Sequence, residues 1–145
     1  MRKLITCAVT GAILLAMLGC VFLPSTVFSE DRDTVLLAKT IYALGKNESY
    51  KTKLALGAVV MNRVDSGWFA NDLGGVLRDQ QQFPAGTRYD NESLRAAHDV
   101  LSGSRVIDAS ALYYQSSDAS DPWGAENRVA QVGSYSFYSE SGNHI

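Results

Sequence analysis

Apolar positions first recur at helical spacing from Leu37, with Ile41 and Leu44 at i+4 and i+7, so one buried stripe is predicted on a helix that Thr34 can cap and Gly45 can stop. The polar turn Lys46-Asn47-Glu48 leads to Ser49, a suitable N-cap, and a second helix is expected to run to about Val64. That segment is apolar nearly all round from Leu54 to Met61, the mark of a helix central to its domain. Ala55, Gly57 and Ala58 are small enough to admit a neighbouring backbone. Asp65 to Phe69 (DSGWF) reads as a turn with two aromatics, Asp72 to Leu77 as a short helix, and Gln80 to Gly86 (QQQFPAG) as loop, broken by Pro84 and Gly86. Asn91 can cap a third long helix whose stripe is Leu94, Ala97 and Leu101 and which Gly103 ends. Beyond it the pattern turns strand-like at Ala111–Gln115, Arg128–Val132 and Tyr135–Tyr138, with a long loop carrying Trp123 between the first two. The pattern predicts an α+β fold: a mainly helical body with a small C-terminal antiparallel sheet.

The opening of the chain does not belong to this pattern. Arg2 and Lys3 precede an apolar run from Leu4 to Leu23, the composition of a signal peptide, with cleavage expected after Ser29; the run is also long enough to be kept as a membrane anchor. Met17-Leu18-Gly19-Cys20 is a loose lipidation motif, and Cys20 reads more simply as one apolar residue of the segment. Residues 1–29 are therefore set aside as leader or anchor, and residues 30–145 form one domain. Membrane association is expected through the leader alone, and the location is exported: cell envelope or extracellular.

Both cysteines, Cys7 and Cys20, fall in the leader, so the domain has no disulfide framework and no thiolate metal site. Eleven basic side chains remain (thirteen less Arg2 and Lys3) against fifteen acidic, a net charge of −4 that argues against nucleic acid as the main partner. His98 and His144 have no ligand partners at metal spacing, no serine lies in a nucleophile elbow, and no phosphate-binding loop is present, so no metal or other cofactor is expected. What remains is chemistry that runs on carboxylates and aromatic platforms, namely glycan cleavage. It needs an acid whose pKa is raised by apolar surroundings, and aromatic residues such as Tyr42, Tyr113, Tyr114 and Tyr135 offer surfaces for sugar rings, although core packing accounts for most such residues.

The stretch LLAKTIYALGKNESYKTKLALGAVVMNRVDSGWF, Leu36 to Phe69, resembles the opening of the spore cortex-lytic, SleB/CwlJ-type cell wall hydrolase family. GGVLRDQQQF, LYYQS and QVGSYSFY are similar to later family motifs, so the resemblance covers essentially all of the chain after the leader, and Asn62-Arg63-Val64 is its most specific piece. It implies a lysozyme-like fold and cleavage of peptidoglycan glycan strands, of muramidase or lytic transglycosylase type. In the latter, one acid suffices because the substrate's own 6-hydroxyl attacks in place of water. It further implies a cleft lined by Tyr42, Leu44, Glu48, Asn62, Arg63, Phe83, Tyr113, Tyr114 and Tyr135.

The likeness fails at the chemistry. The family's first glutamate, its expected general acid, falls on Leu44, its second on Glu48, and the histidine of its terminal motif on Tyr135. Leucine cannot donate a proton, and loss of a general acid typically removes about 10²- to 10⁴-fold of rate. Three outcomes stay open: Glu48 serves as the acid, the domain binds peptidoglycan without cutting it, or a loop acid such as Asp79 or Glu126 has taken over. A non-enzymatic envelope or spore assembly factor is the remaining class. No sequence feature identifies an activating partner protein.

Overall fold

A computed structural model describes residues 31–140. The expected leader, both cysteines and His144 lie outside them. Four helices, α1 (Arg32–Gly45), α2 (Tyr50–Ser66), α3 (Leu73–Leu77) and α4 (Asn91–Leu101), precede three strands, β1 (Tyr113–Ser116), β2 (Arg128–Val132) and β3 (Tyr135–Tyr138), with a short 3₁₀ turn at Ala125–Asn127. The sheet is antiparallel in the order β1-β3-β2, so the last strand is the central one. This is the α+β architecture expected from the sequence.

Two helix starts lie earlier than expected, for one reason. Asp31, not Thr34, caps α1 by accepting the Thr34 N–H at 2.8 Å, and Asp90, not Asn91, caps α4 by accepting the Ser93 N–H at 2.7 Å. An ionised carboxylate is the stronger acceptor at a helix N-terminus, where the dipole also favours it. Ser49 caps α2 as expected, through the Thr52 N–H. The C-terminal ends differ too. α2 continues to Ser66 and is closed by Gly67 at φ 75°, while Gly45 remains helical and α1 ends on Lys46 with ordinary right-handed geometry. Gly45 is small because α2 lies against it: a Cβ there would stand 3.0 Å from Leu56 Cδ1.

α2 is the axis of the domain, as its all-round apolar sequence implied, and Leu56, Val59 and Val60 are buried on it. At Gly57 an added Cβ would meet Val100 Cγ2 at 3.0 Å and Ile41 Cδ1 at 3.1 Å, so α1 and α4 both close on α2 at that point. Phe137 of β3 completes the core from the sheet side. Among the described residues no helix is long and apolar enough to cross a membrane.

Candidate functional site

The sequence places its candidate chemistry at the α1–α2 junction, and there the sheet meets the helices. The Glu48 N–H, which an ideal helix would direct to Leu44, instead bonds the Gly45 carbonyl at 3.0 Å and tightens the turn. The Leu44 carbonyl is taken by the Tyr135 hydroxyl at 2.8 Å. Val132 pairs with Tyr135 across a two-residue turn, Gly133-Ser134, with Gly133 at φ 56° as tight hairpins require. This turn rests on Glu48: the Ser134 N–H reaches Glu48 Oε2 at 3.4 Å, and a Cβ on Gly133 would lie 2.5 Å from the same oxygen.

Alternation along the strands sorts the aromatic candidates. Tyr114 of β1 and Tyr135 of β3 share the helix-facing side, their rings 5.8 Å apart edge to face, and Phe83 lies under Tyr114 at 5.7 Å. The Tyr114 hydroxyl donates to the Gln82 carbonyl, which ties the 79–83 loop to the sheet. Burial pushes both phenols above their ordinary value; Tyr135 is shifted further by the Glu48 carboxylate beside it, and Tyr114 further still by its deeper burial. Tyr113 turns to the opposite face, where it stacks on Trp123 at 5.1 Å. Tyr42 lies on the flank of α1 with the Arg88 guanidinium 6.0 Å from its ring centroid.

Three expected cleft residues are not at the surface, and their surroundings say why. Asn62 Nδ2 donates to the carbonyls of Asp108 and Ala111, at 2.9 and 3.0 Å, and so holds the segment that enters β1. Arg63, 1% exposed, donates from Nε to the Leu112 carbonyl at 2.6 Å and from Nη2 to Gln82 Oε1 at 2.7 Å, with Asp79 at 3.7 Å. Its guanidinium lies 4.5 to 5.1 Å from the ring centres of Phe69, Phe83 and Tyr113. Burial pulls its pKa down, and the charge on Asp79 is among the influences opposing that. Phe83 is fully buried. These residues form the frame behind the site rather than a wall a polymer could touch.

The seam therefore brings together half-buried Leu44, Glu48, Tyr114 and Tyr135, and leaves Tyr113 and Tyr42 on other faces. Leu44 packs against the core from the end of α1. On the outer side of the Gly133-Ser134 turn lies a depression of about 410 Å³ lined by Ser116, Ser117, Asp118 and Ser134. Its edge is fixed by the Ser117 N–H, which donates to the Ser134 carbonyl at 2.8 Å. In the sequence these four residues carry a single sign, the cluster Ser116-Ser117-Asp118 at the end of a strand. Of the alternative acids, Asp79 faces Arg63 and Glu126 lies in the 3₁₀ turn of the long loop. Among the described residues no aspartate or glutamate is buried, and no group of three or more His, Cys, Asp or Glu could hold a metal.

A family model described as Cell Wall Hydrolase matches residues 47–138. The chain belongs to the cell wall hydrolase family. Among its relatives is the spore cortex-lytic enzyme of Bacillus subtilis (strain 168), 29% identical over 114 residues that cover 74% of this chain and 37% of that protein. The spore cortex-lytic enzyme of Halalkalibacterium halodurans is 27% identical over 114 residues, 74% of this chain and 34% of that one. The chain thus spans little more than a third of the length of these two relatives. In three dimensions it is similar to the catalytic domain of the Bacillus cereus SleB protein, with a TM-score of 0.65 and 27% identity over 73% of this chain and 88% of that one. The catalytic domain of the germination-specific lytic transglycosylase SleB from Bacillus anthracis gives 0.66 and 25%, covering 73% and 93%. The lysozyme-like fold expected from the resemblance is the fold found. The family match begins at Asn47, so it takes in Glu48 and the Asn62-Arg63 frame, while Leu44 stands three residues before it.

Proposed function

We propose that this protein is delivered to the cell envelope and acts on the glycan strands of peptidoglycan, cleaving them weakly with Glu48 as proton donor. The observation that carries the proposal is the position of Glu48: it is four residues beyond Leu44 and held at the helix–sheet seam by the Ser134 N–H, with the Tyr135 ring beside it. Family membership supports the substrate, because the relatives are named as spore cortex-lytic enzymes and a solved neighbour as a lytic transglycosylase. In such a reaction the carboxylic acid protonates the departing glycosidic oxygen as the C1–O bond breaks. The 6-hydroxyl of N-acetylmuramic acid, or water, then bonds C1 and returns a proton to the carboxylate.

The rate is expected to be low for two reasons. Leu44 supplies no proton where the family places its first glutamate, and Glu48 is only half buried, so water is not excluded from the point of proton transfer. A second proposal, that the protein holds peptidoglycan without cutting it, is favoured by the absence of any buried carboxyl among the described residues.

Isolated sacculi separate the two. A cleaving protein releases soluble muropeptides, with anhydro ends if it transglycosylates, and Glu48→Gln abolishes the release. A holding protein co-sediments with sacculi and creates no new glycan ends. Leu44→Glu is expected to raise cleavage by about 10²- to 10⁴-fold; no gain in a variant that folds and binds would remove the site from this seam. An assembly factor would neither bind nor cut.

A further inference from the structure

On the other flank of the α1 end is a recess of about 240 Å³, bounded by Tyr42, Ala43 and Lys46 and by residues 85–88. We propose that it is a subsite for the carboxylates of the peptide stems that branch from peptidoglycan glycan, an inference that rests on the peptidoglycan-directed function above. Tyr42 and Lys46 are one helical turn apart and share a face, whereas Leu44, two residues from each and turned about 100° per residue, faces the opposite side. The recess and the Leu44–Tyr135 seam therefore flank the same helix end. A polymer whose sugars follow one side and whose charged branches leave it would meet both.

Lys53, Arg63, Arg105 and Arg128 each have a carboxylate partner within 4.0 Å. Lys46 and Arg88, like Arg32, Lys39, Lys51, Arg78 and Arg95, have no such ion pair among the described residues; what marks the recess is that two of these cations line it together and no acidic residue does. In a chain with fifteen acidic and thirteen basic side chains, two cations facing one acid-free recess call for a ligand. The dipole at the end of α1 accounts for a lysine at position 46. It does not account for Arg88, which arrives from a different segment.

The walls are fixed before any ligand enters. Gly86 presses on α1 so closely that a Cβ would stand 2.1 Å from the Lys39 carbonyl oxygen, and this contact sets where Arg88 leaves the backbone. A guanidinium and an ammonium lining one recess, the first near a tyrosine ring, suit a carboxylate: the guanidinium offers a planar fork, the ammonium a point charge, and both bonds are charge-assisted. Stem peptides carry several free carboxylates out from the strand, whereas glycan stripped of them keeps only the lactyl carboxylate at each muramic acid ring. Phosphate of other wall polymers shares the anionic chemistry, so the experiment must separate the two sources.

The test uses sacculi freed of phosphate polymers by acid extraction and coupled through their glycan to beads, half of them then stripped of stem peptides by an amidase, the beads keeping the stripped strands sedimentable. Wild-type protein is expected to co-sediment about tenfold more weakly with the stripped form, and the double variant Lys46→Gln/Arg88→Gln to bind both forms equally at that weaker level. A double variant that keeps the wild-type preference, or a wild-type protein with no preference, overturns the proposal. A second measurement does not depend on sacculus binding: titration of the free tetrapeptide stem should shift the amide resonances of Tyr42, Lys46 and Arg88 in wild type and not in the double variant. Those shifts with no sacculus binding would sustain the subsite and fail the wider function. Shifts produced by polyglycerol phosphate and not by the stem peptide would overturn the subsite.

Discussion

The hydroxyl of Tyr135 donates to the main-chain carbonyl of Leu44 at 2.8 Å, joining residues 91 positions apart at the point where α1 ends and β3 begins. This bond satisfies a carbonyl in the last turn of α1 whose expected partner, the Glu48 N–H, has turned to Gly45. It also sets the distance between the Glu48 turn and the hairpin that covers it.

Tyr135→Phe keeps the ring and its edge contact with Tyr114 but removes the donor. The expected loss is about 1 kcal/mol of stability, the ordinary net worth of one hydrogen bond, visible as a lower urea midpoint with unchanged slope. Glycan binding should weaken as well, because the seam is no longer held. An unchanged midpoint together with unchanged binding would show that the bond supports neither.

Much of this arrangement was legible beforehand, and the rest was not for identifiable reasons. α2 announced itself as the central helix because Leu54 to Met61 leaves no polar face. The strands followed from aromatic and β-branched runs, although β1 begins at Tyr113 rather than Ala111, because the Ala111 N–H closes a turn on Asp108 and the Ala111 and Leu112 carbonyls accept from Asn62 and Arg63 instead of from a strand. Asn62 and Arg63 look like ligand-binding polar residues in one dimension. Their partners are carbonyls 46 to 49 residues away, and no local pattern reports a contact at that range. Tyr113 and Tyr114 are adjacent, so a strand must send them to opposite faces, and only one of them reaches the seam.

Arg63 should be the most sensitive side chain of the frame. Arg63→Met leaves the Leu112 carbonyl and Gln82 Oε1 without their donor, and a cost of about 3 kcal/mol or more is expected for breaking such a buried charged network. Arg63→Lys keeps the charge but cannot bond both acceptors from one fork or stack among three rings. It should recover only part of that loss in chemical denaturation. Full recovery by lysine would show that charge alone matters at this position.

Gly57 tests the close approach of three helices. Gly57→Ala gains about 1 kcal/mol of helix propensity but drives a methyl to within 3.0 Å of Val100 and 3.1 Å of Ile41. Overpacking of a fixed core costs about 1–3 kcal/mol, so a net loss is expected. A more stable Gly57→Ala variant would mean that α1 and α4 can separate without penalty.

Alkaline pH should unfold this domain through its tyrosines. Burial raises the phenol pKa of Tyr50, Tyr113, Tyr114, Tyr135 and Tyr138 above the ordinary value of 10.0, so near and above that pH the folded chain holds protons that the unfolded chain gives up. The sign follows from linkage: the stability these groups contribute is complete below the unfolded pKa and is lost as pH rises from there through the folded values. Tyr114 should contribute the steepest part, since it is the most strongly shifted of the five. Urea midpoints measured from about pH 8 to pH 11 should fall once pH passes the ordinary phenol range of about 10. The fall should be shallower in Tyr114→Phe. An equal fall in that variant would show that Tyr114 does not drive the alkaline transition.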